Sequence, residues 1–159
     1  HRTVDGKICL VTDFELGVKS FDNYLWVPED KRPSEEVVRW ALGNAAATLI
    51  FLHYNGLTHG DFQVKNTAAD LKGSRVIDIT DMKKRGPASH HSIKDYLKDL
   101  EEYIASVNYY NDRPAYVTEE QVQEWFLEPY RDCVYDMFTN NVASIAMLRL
   151  GNRALTANL

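Results

Sequence analysis

Oxygen- and nitrogen-bearing side chains are concentrated in one stretch of the chain, LTHGDFQVKNTAADLKGSRVIDITDMK, which covers residues 57–83. Four residues separate Asp61 from Asn66 without helical periodicity, so a loop there can aim both side chains into one cleft. Asp78 follows a short β-branched run and would stand at the end of a strand. Carboxylate and amide oxygens are ligands that magnesium prefers, usually completed by phosphate and water. The spacing therefore indicates a phosphate-handling metal site.

A long amphipathic helix is predicted immediately before this stretch. Ser34 can act as its N-cap, and Asn55-Gly56 supplies a left-handed stop. Apolar residues recur between these limits at three- and four-residue steps. They form one face, made by Val38, Ala41, Leu42, Ala45, Leu49 and Leu52. After the helix we predict a bend and then a short hairpin, with arms at residues 67–69 and 75–77 around a turn at 70–74. The bend and the hairpin would carry the candidate side chains.

The second half of the chain is predicted to be helical. One helix covers residues 92–107, with Ile93, Tyr96, Leu97, Leu100, Tyr103 and Ile104 facing inward. Thr118 and Gln121 match a capping box that opens the next helix. Pro129 would open another helix at its first position. Asn140-Asn141 would interrupt that helix before a last one that ends near residue 150.

The first residues carry weaker signals. Asp5-Gly6 is typical of a hairpin turn, and residues 8–12 are predicted to form a buried strand. Residues 21–26 are predicted to form a short helix with Ser20 as its N-cap.

Composition narrows the classes of protein that fit. The chain has 159 residues, of which 45% are apolar, enough for one domain with a core. Its net charge of -5 argues against a nucleic-acid partner. No apolar run approaches the roughly 20 residues of a membrane span. Cys9 and Cys133 fit no metal-ligand spacing, and two reduced cysteines are favoured over one long-range disulfide. We therefore expect a cytoplasmic, mainly α (α+β) domain without a membrane partner.

Two segments resemble the protein-kinase-like phosphotransferases. HGDFQVKN is similar to their catalytic loop, His-x-Asp-x-x-x-x-Asn, and VIDITD is similar to their metal-binding segment. Glycine at position 60 looks more like the aminoglycoside and small-molecule kinases than the eukaryotic protein kinases, which carry arginine there. The resemblance covers roughly residues 7–107. It implies a helical C-lobe in which a small β hairpin carries the catalytic and metal-binding loops.

The resemblance also implies roles for individual side chains. Asp61 would orient the hydroxyl of the acceptor and accept its proton. Asn66 would bind Mg²⁺, and Asp78 would bridge Mg²⁺ to the phosphates of ATP. His59 would be structural and hold the loop.

Further roles follow for residues outside the loop. Asp99 on the helix KDYLKDLEEYIASV would brace the catalytic loop, with Asp95 as the alternative. Backbone groups near Asp13, Phe14 and Glu15 would bind the adenine of the nucleotide.

The sequence departs from the family at several points. Gln63 stands where protein kinases carry lysine and many small-molecule kinases carry histidine, which leaves the class of acceptor open. Ile79-Thr80 replaces Phe-Gly, and neither a Gly-rich loop nor a strand lysine paired with a helix glutamate is found. Residues 1–16 would be the end of an N-lobe and the hinge, and 17–159 the C-lobe of a larger protein.

Two functions are consistent with these departures. The first is an ATP- and Mg²⁺-dependent phosphotransferase C-lobe that transfers a γ-phosphoryl group to a hydroxyl acceptor and needs the missing N-lobe segment for activity. The alternative is a catalytically silent, kinase-like module that holds a partner.

Overall fold

Helices dominate the structure, and the strands are short. The computed structural model describes residues 2–4, 7–9, 19–67, 76, 78–85, 90–110 and 116–138. The helices in these ranges are α1 (Asp22–Leu25), α2 (Glu35–Tyr54), α3 (His90–Tyr110), α4 (Glu119–Val122) and α5 (Glu128–Phe138). The strands are β1 (Arg2–Val4), β2 (Lys7–Cys9), β3 (Leu57–Thr58) and β4 (Lys83–Lys84), and they form two antiparallel pairs, β1–β2 and β3–β4. The prediction of a mainly α fold is confirmed. Within these ranges no helix is long and apolar enough to cross a membrane.

Helix α2 has the limits and the buried face that the sequence predicts. Ser34 occupies the N-cap position in an extended conformation, and its carbonyl accepts the first backbone hydrogen bonds of the helix. The helix ends where Gly56 adopts a φ of 70°, a left-handed conformation that glycine tolerates best. All six predicted apolar positions are buried. Burial of this face is what fixes α2 in the core.

Helix α3 is longer than predicted at both ends. The predicted inward positions lie in the core or pack against it. The last turn continues past Val107 because Tyr110 packs edge-on against Trp26, with ring centroids 6.0 Å apart. This aromatic contact comes from a distant part of the chain, so local sequence could not reveal it.

The prediction that a separate helix begins at Pro129 is wrong. Thr118 and Gln121 form the predicted capping box, but the helical path then continues from α4 through a π-helical turn, Gln123–Leu127, into α5. Proline has no N–H to donate, and its ring crowds the carbonyl four residues earlier. A wider turn before Pro129 relieves this crowding. The predicted interruption at Asn140-Asn141 and the last helix lie outside the described residues.

The short elements agree only in part with prediction. Val4 pairs with Lys7 in an antiparallel register, and the strand Lys7–Cys9 overlaps the start of the predicted strand. The predicted turn at Asp5-Gly6 and residues 10–12 lie outside the described residues. Thr67 and Val76 form an antiparallel bridge, as the predicted second hairpin requires, and most of that hairpin lies outside the described residues.

Two further differences concern the short elements. Ser20 is not the N-cap of α1, because Phe21 occupies that position and the Ser20 hydroxyl accepts from the Asn23 side chain instead. The pairing of β3 with β4 was not predicted. This pairing holds β4, which follows Asp78 in the chain, against β3, which leads into the loop that begins at His59.

Candidate active site

Asp61 lies in the loop between β3 and a 3₁₀ turn, Val64–Asn66, and its carboxylate is surrounded by donors. The Asn66 side-chain amide donates to the backbone carbonyl of Asp61 at 2.9 Å and to its Oδ2 at 3.0 Å. The Gln63 amide donates to Oδ1. The Lys65 ammonium lies 3.5 Å from Oδ2. The loop therefore brings Asp61 and Asn66 together, as their spacing predicted.

Asp78 has an unusual backbone for a residue with a side chain. Its φ is 55°, and it is the only non-glycine residue with positive φ in the described part of the chain. Such conformations cost free energy and are concentrated at functional sites. The side chain is exposed, and the Thr80 hydroxyl donates to its Oδ1 at 2.6 Å. This bond and a second one from the Thr80 amide lower the pKa of Asp78, so the carboxylate is ionised at neutral pH.

Lys65 connects the two carboxylates electrostatically. The positive charge of Lys65 contributes further to the lowered pKa of Asp78. The same Lys65 ammonium contacts Asp61. Electrostatic influence of this kind falls off steeply with distance in salt solution. Lys65 therefore contacts Asp61 directly and acts on Asp78 through its charge.

Gly60 explains how the segment after Asp78 approaches the loop. Its φ is 86°, and a Cβ added at this position would lie 2.7 Å from the carbonyl oxygen of Asp81. Only glycine combines that backbone conformation with such close contact. The structure therefore needs the glycine of His59-Gly60-Asp61 for packing, whatever reaction the site performs.

Of the two acidic candidates on α3, Asp99 is the one that contacts the loop. Its Oδ2 accepts the backbone N–H of His59 and its Oδ1 accepts that of Gly60, both at 2.8 Å. Asp95 instead pairs with Arg85 at 2.9 Å. The Asp99 side chain is buried, so these bonds are shielded from water. The carboxylate holds the loop by its backbone.

A buried chain of hydrogen bonds supports Asp99 from behind. The Nε2 of His53 lies 3.1 Å from Oδ2 of Asp99, and its Nδ1 lies 2.6 Å from the Tyr130 hydroxyl. Burial lowers the pKa of His53, outweighing the attraction of Asp99, so the ring is neutral at pH 7. The Tyr130 hydroxyl therefore donates to Nδ1, and Nε2–H donates to Asp99. From sequence alone His53 is expected at the boundary of α2, but it is buried, as its place four residues after Leu49 on the buried face indicates.

His59 is fully buried beside the loop it belongs to. Its Nδ1 accepts weakly from the Asp61 amide at 3.4 Å, and its ring meets Phe62 edge-on. Its Nε2 has no hydrogen-bond partner among the residues that the structure describes. The histidine fills the space under the loop.

The side chains of Asn66 and Asp78 are of the types that bind magnesium when phosphate and water complete its shell. The Asn66 amide turns its nitrogen to Asp61, which leaves its oxygen directed away from that carboxylate. Asp78 supplies an ionised, exposed carboxylate. In the described ranges no three histidine, cysteine, aspartate or glutamate side chains form a metal cluster. Magnesium needs only one or two carboxylates when a phosphate completes its shell, so the donor chemistry fits. Asp13, Phe14 and Glu15 lie outside the described residues.

Comparisons with known proteins do not assign this chain to a family. No protein-family model matches the chain, and no curated protein matches it significantly. The kinase-like resemblance therefore stays a prediction that rests on the residues of the loop and their arrangement.

Proposed function

We propose that this chain is the helical lobe of an ATP- and Mg²⁺-dependent phosphotransferase that acts on a hydroxyl acceptor. One observation supports the proposal: Asp61 bonds to Asn66 and Lys65 within one loop, and the charge of Lys65 also acts on the strained, ionised Asp78. A carboxylate for the hydroxyl and two oxygen ligands for a cation are the groups that phosphoryl transfer requires.

Asp61 handles the proton in this proposal. The acceptor O–H donates to Oδ1 of Asp61, and its oxygen attacks the γ-phosphorus of ATP. The new P–O bond forms as the bond to the leaving ADP breaks, and the hydroxyl proton passes to Asp61. The nearby Lys65 ammonium stabilises the negative charge of Asp61 before transfer. Positioning of the reacting groups supplies much of the rate in such reactions.

Asn66 and Asp78 hold the cation in this proposal. The Asn66 amide oxygen and the Asp78 carboxylate would bind Mg²⁺, which neutralises charge on the phosphates when bound. Asp99 and His59 act through the loop, by holding its backbone and filling the space beneath it. The adenine would meet backbone groups near Asp13, Phe14 and Glu15, and an N-lobe segment would complete the nucleotide pocket.

The experiment that tests the proposal compares Asp61→Asn with Asp132→Asn in the protein that carries this sequence. Asp132 is an exposed carboxylate paired with Arg131, and its loss should leave the rate unchanged. Loss of Asp61 should lower Mg²⁺-dependent release of ADP by about 10²- to 10⁴-fold, the usual contribution of a general base. Equal rates in the two variants would remove Asp61 from the mechanism.

One observation favours the alternative of a catalytically silent, kinase-like binding module. Both oxygens of Asp61 are already engaged, by Gln63 on one side and by Asn66 and Lys65 on the other. Titration with ATP, with and without Mg²⁺, separates the two functions. A rise in melting temperature that requires Mg²⁺ and is lost in Asp78→Asn supports the enzyme, and a flat response supports the module.

A further inference from the structure

Gln63 occupies the place that a hydroxyl acceptor must take. Its amide donates to Oδ1 of Asp61, while Asn66 and Lys65 engage Oδ2. Asn66 is buried and also bonded to the Asp61 backbone, so it is fixed. Gln63 is half-buried, and no second bond from its amide is found among the described residues. Oδ1 is therefore the oxygen that can be released to a new donor.

A cavity adjoins Gln63 on the side of α3. Its volume is about 360 Å³, and its walls are Gln63, Glu102, Ala105, Ser106, Tyr109 and Tyr110. The Ser106 wall is rigid, because its hydroxyl donates to the Tyr103 carbonyl and accepts the Val64 amide. Gln63 is the wall residue that also contacts Asp61. A small molecule in this cavity would meet the Gln63 side chain directly.

The polar end of the cavity needs a donor. Oε1 of Glu102 pairs with Lys98 at 3.1 Å, whereas Oε2 is buried and has no hydrogen-bond partner among the described residues. A buried acceptor without a partner costs free energy, and a ligand that brings an O–H or N–H there removes that cost. Tyr109 and Tyr110 supply aromatic surface at the other end. The cavity therefore fits an alcohol that carries a second donor group.

We propose that Gln63 is a gate for the acceptor. Its amide stands in for the acceptor hydroxyl on Oδ1 of Asp61, and an alcohol with a second O–H or N–H donor displaces it by entering the cavity between Gln63 and Glu102. This inference rests on the proposed function of Asp61. It makes Gln63 a positioning residue that suppresses use of water as the acceptor when the cavity is empty.

The test needs no knowledge of the natural acceptor, because water can take its place. Mg²⁺-dependent hydrolysis of ATP is measured for the wild type, Gln63→Ala and Gln63→Met in the protein that carries this sequence. Removing the amide frees Oδ1 for water, so hydrolysis should rise about tenfold, the factor that the net contribution of one hydrogen bond allows, with KM for ATP unchanged. A damaged structure would lower the rate instead, so a gain cannot come from misfolding. Gln63→Met keeps the length of the side chain and removes only the donor, and it should also raise the rate.

Controls separate this inference from the proposed function. Gln123, which donates an amide to Glu128 at 3.4 Å, is a matched glutamine away from the loop, and Gln123→Ala should leave hydrolysis unchanged. The gain should vanish in Gln63→Ala combined with Asp61→Asn. If the wild type hydrolyses ATP through Asp61 but neither Gln63 variant is faster, the gate is wrong and the function stands. If no variant hydrolyses ATP in an Asp61-dependent manner, both are overturned.

Discussion

Replacing Asp99 with asparagine should destabilise the protein far more than the same replacement at Asp95. The Asp99 carboxylate is buried and accepts three hydrogen bonds, from the amides of His59 and Gly60 and from His53. Asparagine keeps one oxygen, so its NH₂ group must face a donor and leave that donor unpaired, at a cost of about 1–3 kcal/mol. The hydrogen bonds that remain are no longer made to a charged group, which roughly halves their strength. The expected loss in the free energy of unfolding is about 3–4 kcal/mol.

Asp95 is the matched control, because it lies one helical turn away on the same helix. Its ion pair with Arg85 is partly exposed to solvent, and pairs of this kind contribute at most about 1 kcal/mol after screening. Equilibrium unfolding in urea at pH 7.5 measures both losses from the transition midpoints, provided that the slopes agree. A loss for Asp99→Asn no larger than that for Asp95→Asn would refute the claim that this carboxylate holds the loop.

Two further predictions concern the same region. Gly60→Ala should destabilise the protein by at least about 2 kcal/mol in urea unfolding, because Gly60 has a positive φ and lies close to the Asp81 carbonyl. Gly43→Ala inside α2 should instead stabilise it by about 0.5–1 kcal/mol, since the added Cβ would meet only an ordinary contact at 4.0 Å. The opposite order of stabilities would contradict the packing argument. Burial lowers the pKa of His53 below its ordinary value of 6.5, so the unfolded chain binds the proton more readily and the free energy of unfolding should fall as the pH drops below about 6.5. His53→Gln should flatten that part of the pH profile, and an unchanged slope would exclude His53 as its source.

The sequence was sufficient for the elements whose pattern is local. The limits of α2 follow from its apolar period and from Asn55-Gly56, and the meeting of Asp61 with Asn66 follows from a spacing that only a loop could satisfy. The apolar pattern of α3 also favours Asp99 over Asp95 as the residue that contacts the loop. Asp99 lies three residues after Tyr96 and four before Tyr103, both inward positions, so it had to share the buried face.

Other features depend on contacts between distant residues. The β3–β4 pair consists of two residues on each side, and Lys83-Lys84 has the composition of a solvated loop, so no alternating pattern marks it as a strand. His53 has the polarity of a boundary residue, and only its partners at positions 99 and 130 make its burial favourable. The continuation of α4 into α5 depends on a π turn, which competes with the helix start that proline usually marks.

The π turn before Pro129 has a consequence for the loop. It changes the direction in which the following residues point around the helix axis. Tyr130 is one of these residues, two positions after Glu128, the first residue of α5. Tyr130 then reaches His53 on α2, His53 reaches Asp99 on α3, and Asp99 holds the backbone of the loop. Each member of this series is buried, so none can exchange its partner for water without cost. The position of Asp61 is therefore set by three helices together, and a change at Pro129 reaches the loop through the buried side chains of Tyr130, His53 and Asp99.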